Sequence, residues 1–421
     1  MSSLKVLSNG VRVAMNPSKA VETVAIGYFF ETGSRYEKKN ENGTAHFLEH
    51  LFFKGSKNFK AGDIFANADN YGAEMNAYTS KEETAYYMHG HKDMLDNMLF
   101  MLNDMVVNPT FPLDEINKER SVVVQEIERA NDDNSKILYY IGDEASYPGH
   151  PMGWTTLGTS DFIMTVPREK IVGFKERHYN ASTLVISVSG NFDPEVLVKK
   201  LEKMTEPLPL TSLKGRRCPS AKMAFGAAVR NREIDQLQYA LRYPACSEKS
   251  KDRFATNLLC KILGGGLASR LGTEIRQKRG LTYGIGAGHI GYQDHGYVTI
   301  GTGIFANRRD EFEDALRAEL VKIKDGVTQE ELDRARNMIK GGTARGIESM
   351  SAMMSGMASH ACLFNRPLDI PGITANLDKI TTDKIREVAN NVFSQKPVVS
   401  VIGRHVEETV DKKAVFDKFT L

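Results

Sequence analysis

Two periodicities run along this chain. Apolar residues alternate with polar ones, or run together over strand lengths, in TVAIGYFFETGS (23–34), AEMNAYTSKEETAYYM (73–88) and YVTIGTGI (297–304), which predicts β-strands. Helical spacing governs PLDEINKERSVVVQE (112–126) and TQEELDRARNMIKGG (328–342), each opened by acidic residues. Strands cluster and helical stretches follow in blocks. The expected fold class is therefore α+β, with helices packed on one face of a largely antiparallel sheet.

The pattern also repeats. VPREKIVGFKERHYNASTLVISVSGN (166–191) and ITTDKIREVANNVFSQKPVVSVIGRH (380–405) both read as a capped amphipathic helix, a polar turn and an apolar strand. The two helical segments above match as well, so the pairs stand at offsets of 214 and 216 residues. Two homologous halves follow from this near-constant offset. EPLPLTSLKGRRCPSAK (206–222) has three prolines, a glycine and a basic run, which is linker composition. The expected organisation is a catalytic α+β domain at 1–205, a linker at 206–222, and a homologous second domain at 223–421.

Composition removes several function classes. With 55 basic and 53 acidic residues, the net charge of +2 offers no global field for nucleic acid or an anionic membrane. No apolar run approaches the roughly 20 residues of a membrane span. The four cysteines never fall as CxxC, so reduced thiols are expected rather than a zinc ribbon or redox motif. MSSLKVLSNGVRVA lacks a signal core, which predicts a protein that is not secreted.

The chemistry begins at GTAHFLEHLFF (43–53), where His46, Glu49 and His50 interrupt a run that reads as buried helix. Burying those groups is costly unless something satisfies them. Positions i and i+4 share a helical face, so His46 and His50 can converge on one point with Glu49 beside them. That is the HxxEH order of a zinc hydrolase, inverted relative to HExxH. A catalytic zinc needs a third protein ligand. Glu119 and Glu126, seven residues apart, fall on one helical face with Val122 and Val123. The three valines also suit a strand, but the PLDE start and flanking charges favour helix. Solvated helix glutamates are the plain alternative for such a pair. Against it, the corresponding stretch of the second half, LLCKILGGG (258–266), has no histidine, and Glu119 and Glu126 correspond to Ala335 and Gly342. The polar set is present together in one half and absent together from the other. His89 and His91 read as a surface pair, and the methionines of 350–360 as core filling.

ENGTAHFLEHLFFKGS, followed by Glu126 76 residues after His50, resembles the inverted-zincin M16 peptidases, in particular the mitochondrial processing peptidase β-subunit and its single-chain bacterial relatives. The resemblance covers almost the whole chain. It implies a clam-shell chamber formed by the two domains. It also implies one Zn2+ per chain held by His46, His50 and Glu126, with Glu49 as general base and Glu119 orienting a ligand or the base. GAEMNAYTS (72–80) resembles the family's substrate-binding edge strand, with Asn76 and Ala77 as backbone hosts. Arg276 and Tyr283 match the pair that family members bring onto the substrate carbonyl.

The activity implied is removal of N-terminal leader peptides from imported precursors by a single-subunit enzyme, a monomer or homodimer. An α-subunit-like partner is the alternative. Where the β-subunit pattern places acidic residues that read a basic leader, this chain has Lys136 and Tyr140; reduced reliance on basic leaders is expected, with Asp143 and Glu144 as possible substitutes. The implied compartment is the matrix of a mitochondrion or related organelle, or the cytoplasm in a bacterium. Two competing functions are a non-catalytic core subunit, as in relatives of the respiratory bc1 complex, and a general oligopeptidase.

Overall fold

The alternating segments pair into two sheets. A computed structural model describes residues 2–210 and 219–421, so much of the expected linker, residues 211–218, lies outside the described residues. The strands are β1 (Ser3–Val6), β2 (Arg12–Pro17), β3 (Thr23–Phe30), β4 (Glu74–Thr79), β5 (Thr84–His91) and β6 (Leu184–Gly190). The second half supplies β7 (Gly226–Asn231), β8 (Gln236–Ala245), β9 (Ile285–Gly291), β10 (Gly296–Phe305) and β11 (Val398–Gly403). The sheet orders are β1-β2-β6-β3-β5-β4 and β7-β11-β8-β10-β9. From β2 onward the two orders are the same, and in each the one parallel pair, β2 with β6 or β7 with β11, sits in the same place. The repeat read from the sequence is thus a repeat of topology.

Six helices matter for the site and its support: α1 (Thr44–Phe52), α2 (Leu113–Asp132), α3 (Asn134–Ser146), α4 (Arg253–Gly264), α5 (Gln329–Glu348) and α6 (Met350–Phe364). Asp133 caps α3 by accepting from the Ser135 and Lys136 N–H groups, and Ser349 caps α6 by accepting from Ala352 N–H. No helix among the described residues is long and apolar enough to cross a membrane.

The chain divides into two compact units, and these are not the two sequence halves. One comprises Met1–Arg129, Trp154–Pro219 and Ala344–Asp369; the other comprises Ala130–Gly153, Ser220–Thr343 and Ile370–Leu421. Helix α3 leaves the first half and packs on β7, β8 and β11, while its repeat equivalent α6 leaves the second half and packs on β2, β3 and β6. The halves therefore exchange equivalent helices.

This exchange changes the layering expected from the sequence. In β3 every residue from Val24 to Phe30 is buried, so neither face is left to solvent. Tyr28 points to the helix Leu95–Val107, where its hydroxyl bonds Asn103. Gly27 and its cross-strand neighbour Ser187 lie on the opposite face, and Ser187 Oγ donates to the Met354 carbonyl of α6. Helices cover both faces because the second cover is supplied by the other half. Met350, Met353, Met354 and Met357 are buried as core filling, in the unit opposite to the one their sequence position suggests.

In the second unit the exchanged helix is held by a buried ion pair. Arg242 of β8 donates to Asp143 of α3 at 2.6 Å, and both side chains are only 3% exposed. Gly142 lets the guanidinium in, since a Cβ there would stand 2.8 Å from Arg242 Cζ. Removing one partner of such a pair strands a buried charge. Asp143→Ala is expected to cost about 3–5 kcal/mol, read as a lower urea midpoint by circular dichroism. Glu144→Ala, removing a 74% exposed side chain, should stay within about 0.5 kcal/mol.

Candidate metal centre

The site is built on the start of α1. Gly43 precedes the helix with φ +100°, and a Cβ at that position would meet Gly158 Cα at 2.8 Å, so glycine suits it on both counts. The first N–H groups of a helix have no partner within it. Here the buried Glu37 carboxylate accepts from Gly43 N–H at 3.0 Å, Ala45 N–H at 2.7 Å and Asn42 Nδ2 at 2.9 Å. Burial raises the Glu37 pKa to about 8 against the pull of these bonds.

One turn in, His46 and His50 project from the same face with ring centroids 4.7 Å apart. Glu126 reaches them from α2, with Oε2 3.5 Å from His46 Nε2 and 3.4 Å from His50 Nε2. Ligand atoms of the three residues all lie within 4.8 Å of one another. Two imidazoles and a carboxylate converging on one point suit zinc. Glu119, also on α2, accepts at 2.9 Å from His50 Nδ1, and Lys54 Nζ stands 2.6 Å from its other oxygen. That bond fixes the His50 tautomer so that Nε2 faces the centre. Glu119 thus bonds the imidazole of His50 and the ammonium of Lys54.

Electrostatics follow from this packing. Burial opposes the charged Glu119, but His50 and Lys54 outweigh it and hold its pKa below the ordinary range. Burial likewise opposes a proton on His50, yet the bonds to Glu119 and Glu126 raise its pKa to about 9 in the metal-free protein. Burial raises the Glu49 pKa, while the Thr79 hydroxyl, donating to Oε2 at 2.6 Å, opposes the rise.

The other expected site residues fall in two places. Asn76 and Ala77 lie on β4, which closes its sheet and pairs with β5 alone among the described strands. Asn76 Oδ1 accepts from the Ala77 N–H at 2.8 Å. Arg276 and Tyr283 belong to the second unit. Arg276 sits in a wide helical turn, Gly272–Lys278, with its guanidinium 5.0 Å over the ring of Tyr283, which is 88% exposed. Val122, read as part of the apolar face of α2, instead points outward and is 47% exposed, leaving Val123 with the two glutamates.

Three contributors lie outside the residues singled out in the sequence. Lys54 stands four residues after His50 and could have been found from that spacing. Thr79 belongs to the strand already singled out, but nothing in its context points to Glu49. Glu37 lies in a charged loop and carries no signal.

The second half carries an apolar arrangement at the equivalent place. Helix α4 occupies the place of α1 after β8, and Leu258, Leu259, Ile262 and Leu263 are buried where α1 carries its polar set. Ala335, equivalent to Glu119, is buried in α5.

A duplicated α+β fold with an inverted HxxEH helix and a distal glutamate defines a class of metal-dependent peptidases. The chain belongs to peptidase family M16: residues 12–160 match the insulinase (peptidase family M16) model, and residues 165–339 match the peptidase M16 inactive domain. It is 32% identical to an uncharacterized zinc protease of Rickettsia bellii and 30% identical to zinc protease YmxG of Bacillus subtilis, in each case over 94% of this chain and 96% of the relative. The crystal structure of a protease from Helicobacter pylori superposes with a TM-score of 0.88 at 26% identity, over 96% of this chain and 99% of that one. A chain of Candida albicans complex III2 shares the fold at a TM-score of 0.86 and 17% identity. Family and relatives indicate a zinc metallopeptidase using one zinc.

Zinc requires a neutral His50, so its uptake competes with the proton raised on that ring. In the metal-free protein the charged form of His50 stabilises the fold fully below about pH 6.5, and that contribution is lost as pH rises through about 9. Zinc uptake at pH 7.5 is therefore expected to release about one proton. Titration calorimetry in buffers of different ionisation enthalpy measures this number directly. Glu119→Gln should weaken zinc binding by about 10–100-fold, read by competition with a chelating dye.

Proposed function

We propose that the protein is a zinc metalloendopeptidase that cleaves extended peptides, with N-terminal leader peptides of precursor proteins as its substrate class. The observation that carries this reading is the complete set on α1 and α2, in which His46, His50 and Glu126 converge while Glu49 stands free of the ligand cluster. Zinc held by those three residues would supply Lewis acidity toward a peptide carbonyl and toward water. Glu49 then takes the proton of the attacking water and passes it to the leaving amine. Glu119 keeps His50 in its ligating tautomer. An extended peptide added to the open edge of β4 would gain main-chain hydrogen bonds through Asn76 and Ala77 whatever its side chains. Arg276 and Tyr283 are proposed to donate to the carbonyl oxygen as charge develops.

Two observations support weak dependence on basic leaders. Lys136 stands where the β-subunit pattern carries an acid, and its like charge would repel a basic residue. Asp143 is already committed to Arg242, which leaves the exposed Glu144 as the candidate substitute. The relatives named zinc proteases are bacterial, which supports a single-subunit enzyme of bacterial type and the cytoplasmic alternative over an organelle matrix. The likeness to a complex III2 chain supports a scaffold role only at the level of fold. A scaffold has no use for an intact ligand set.

The purified chain is expected to cleave a fluorogenic leader peptide with about one zinc bound. Glu49→Gln should keep the zinc and lose activity by about 100-fold or more. Zinc without cleavage of any peptide by the wild type would overturn the peptidase reading. Leader peptides with Arg or Ala before the cut should differ in kcat/KM by less than about tenfold; a larger preference for Arg would refute weak dependence on charge.

A further inference from the structure

Glutamate has three rotatable side-chain bonds, and a general base works only when its oxygen meets the proton it takes. Among the described residues Glu49 has one hydroxyl partner, Thr79, whose Oγ1 donates to Oε2 at 2.6 Å. With Oε2 tied, Oε1 is the oxygen left to take a proton. We propose that Thr79 is the positioning residue for Glu49, an assignment that rests on Glu49 being the base.

The surrounding chain holds Thr79 in register with α1. The turn after β4 is clamped to the loop before α1, with Ser34 N–H donating to the Ser80 carbonyl at 3.1 Å and Arg35 N–H to the Lys81 carbonyl at 2.8 Å. Thr84 Oγ1 donates to the Thr32 carbonyl at 2.9 Å. Gly33 permits this approach, since a Cβ there would stand 2.2 Å from the Ser80 carbonyl oxygen. Four residues later the same loop supplies Glu37, which holds the first N–H groups of α1. The donor and the carboxylate it orients are thus fixed to one segment, residues 32–37.

Thr79 also ends the strand proposed to receive substrate, so it has a competing role as a peptide host. The two roles separate in kinetics. A residue that aims the base acts on kcat, whereas a residue that binds the ground state acts on KM.

The test compares Thr79→Val, which keeps size and β-branching, with Thr79→Ser, which keeps the hydroxyl. Both are assayed in the full chain with zinc content and thermal unfolding measured on the same samples. Thr79→Val should lower kcat by about 10–100-fold with KM within about twofold and zinc unchanged, and Thr79→Ser should lie within about threefold of wild type. A Thr79→Val enzyme with wild-type kcat overturns the proposal. So does an equal loss in Thr79→Ser, loss of zinc, or a rise in KM alone. Glu49→Gln in the same assay distinguishes the two levels: activity retained there removes Glu49 as base, while its loss beside an unimpaired Thr79→Val removes only the role of Thr79.

Discussion

Much of this site depends on one carboxylate that is not a ligand. Helix α1 begins in the protein interior, where its leading N–H groups cannot reach water, and Glu37 accepts two of them together with the Asn42 amide. The direction in which His46 and His50 project is set by where that helix starts, and a shift of one residue turns its face by about 100°. The helix dipole favours negative charge there, but burial outweighs it and raises the Glu37 pKa to about 8. Replacing Glu37 would leave the helix N–H groups it accepts from without a partner. Glu37 therefore fixes the phase of the helix, and the phase determines which side chains meet Glu126.

Duplication makes the cost of the polar set visible. At the equivalent place the second half has α4 and α5 with leucine, isoleucine and alanine, the solution the fold adopts when no chemistry is required. In the first half the equivalent positions are histidine and glutamate, and the polar groups have partners: Glu119 for His50, Lys54 for Glu119 and Thr79 for Glu49. Isolated substitutions of this kind would leave buried groups unsatisfied. The polar residues are explicable only as a group.

What could be read in advance divides along the same physical line. His46 and His50 were legible because helical spacing alone brings them together, and Glu126 because two helical turns separate it from Glu119. The repeat was legible because strand and helix patterns recur at one offset. Partners contributed by remote loops were not, since the contact of Thr79 with Glu49 depends on how the turn after β4 is clamped. The one-sided layering failed for a related reason. The pattern of α6 shows an apolar face rich in methionine, but amphipathicity does not say which sheet that face will cover. Nor did the charges of α3 reveal that Asp143 is buried against Arg242 rather than open to substrate.

The exchange of α3 and α6 bears on how such a chain arises. Two copies of a half-length protein that swapped this helix would each complete the sheet of the other, as in a domain-swapped homodimer. Joining the copies end to end would preserve the swap and free one copy to lose its chemistry. It also makes the halves poor candidates for independent folding. A break between them would leave each fragment carrying a helix meant for the other and lacking the one that covers its own sheet. Reassociation of the fragments, rather than separate folding, would be the way back to the native structure.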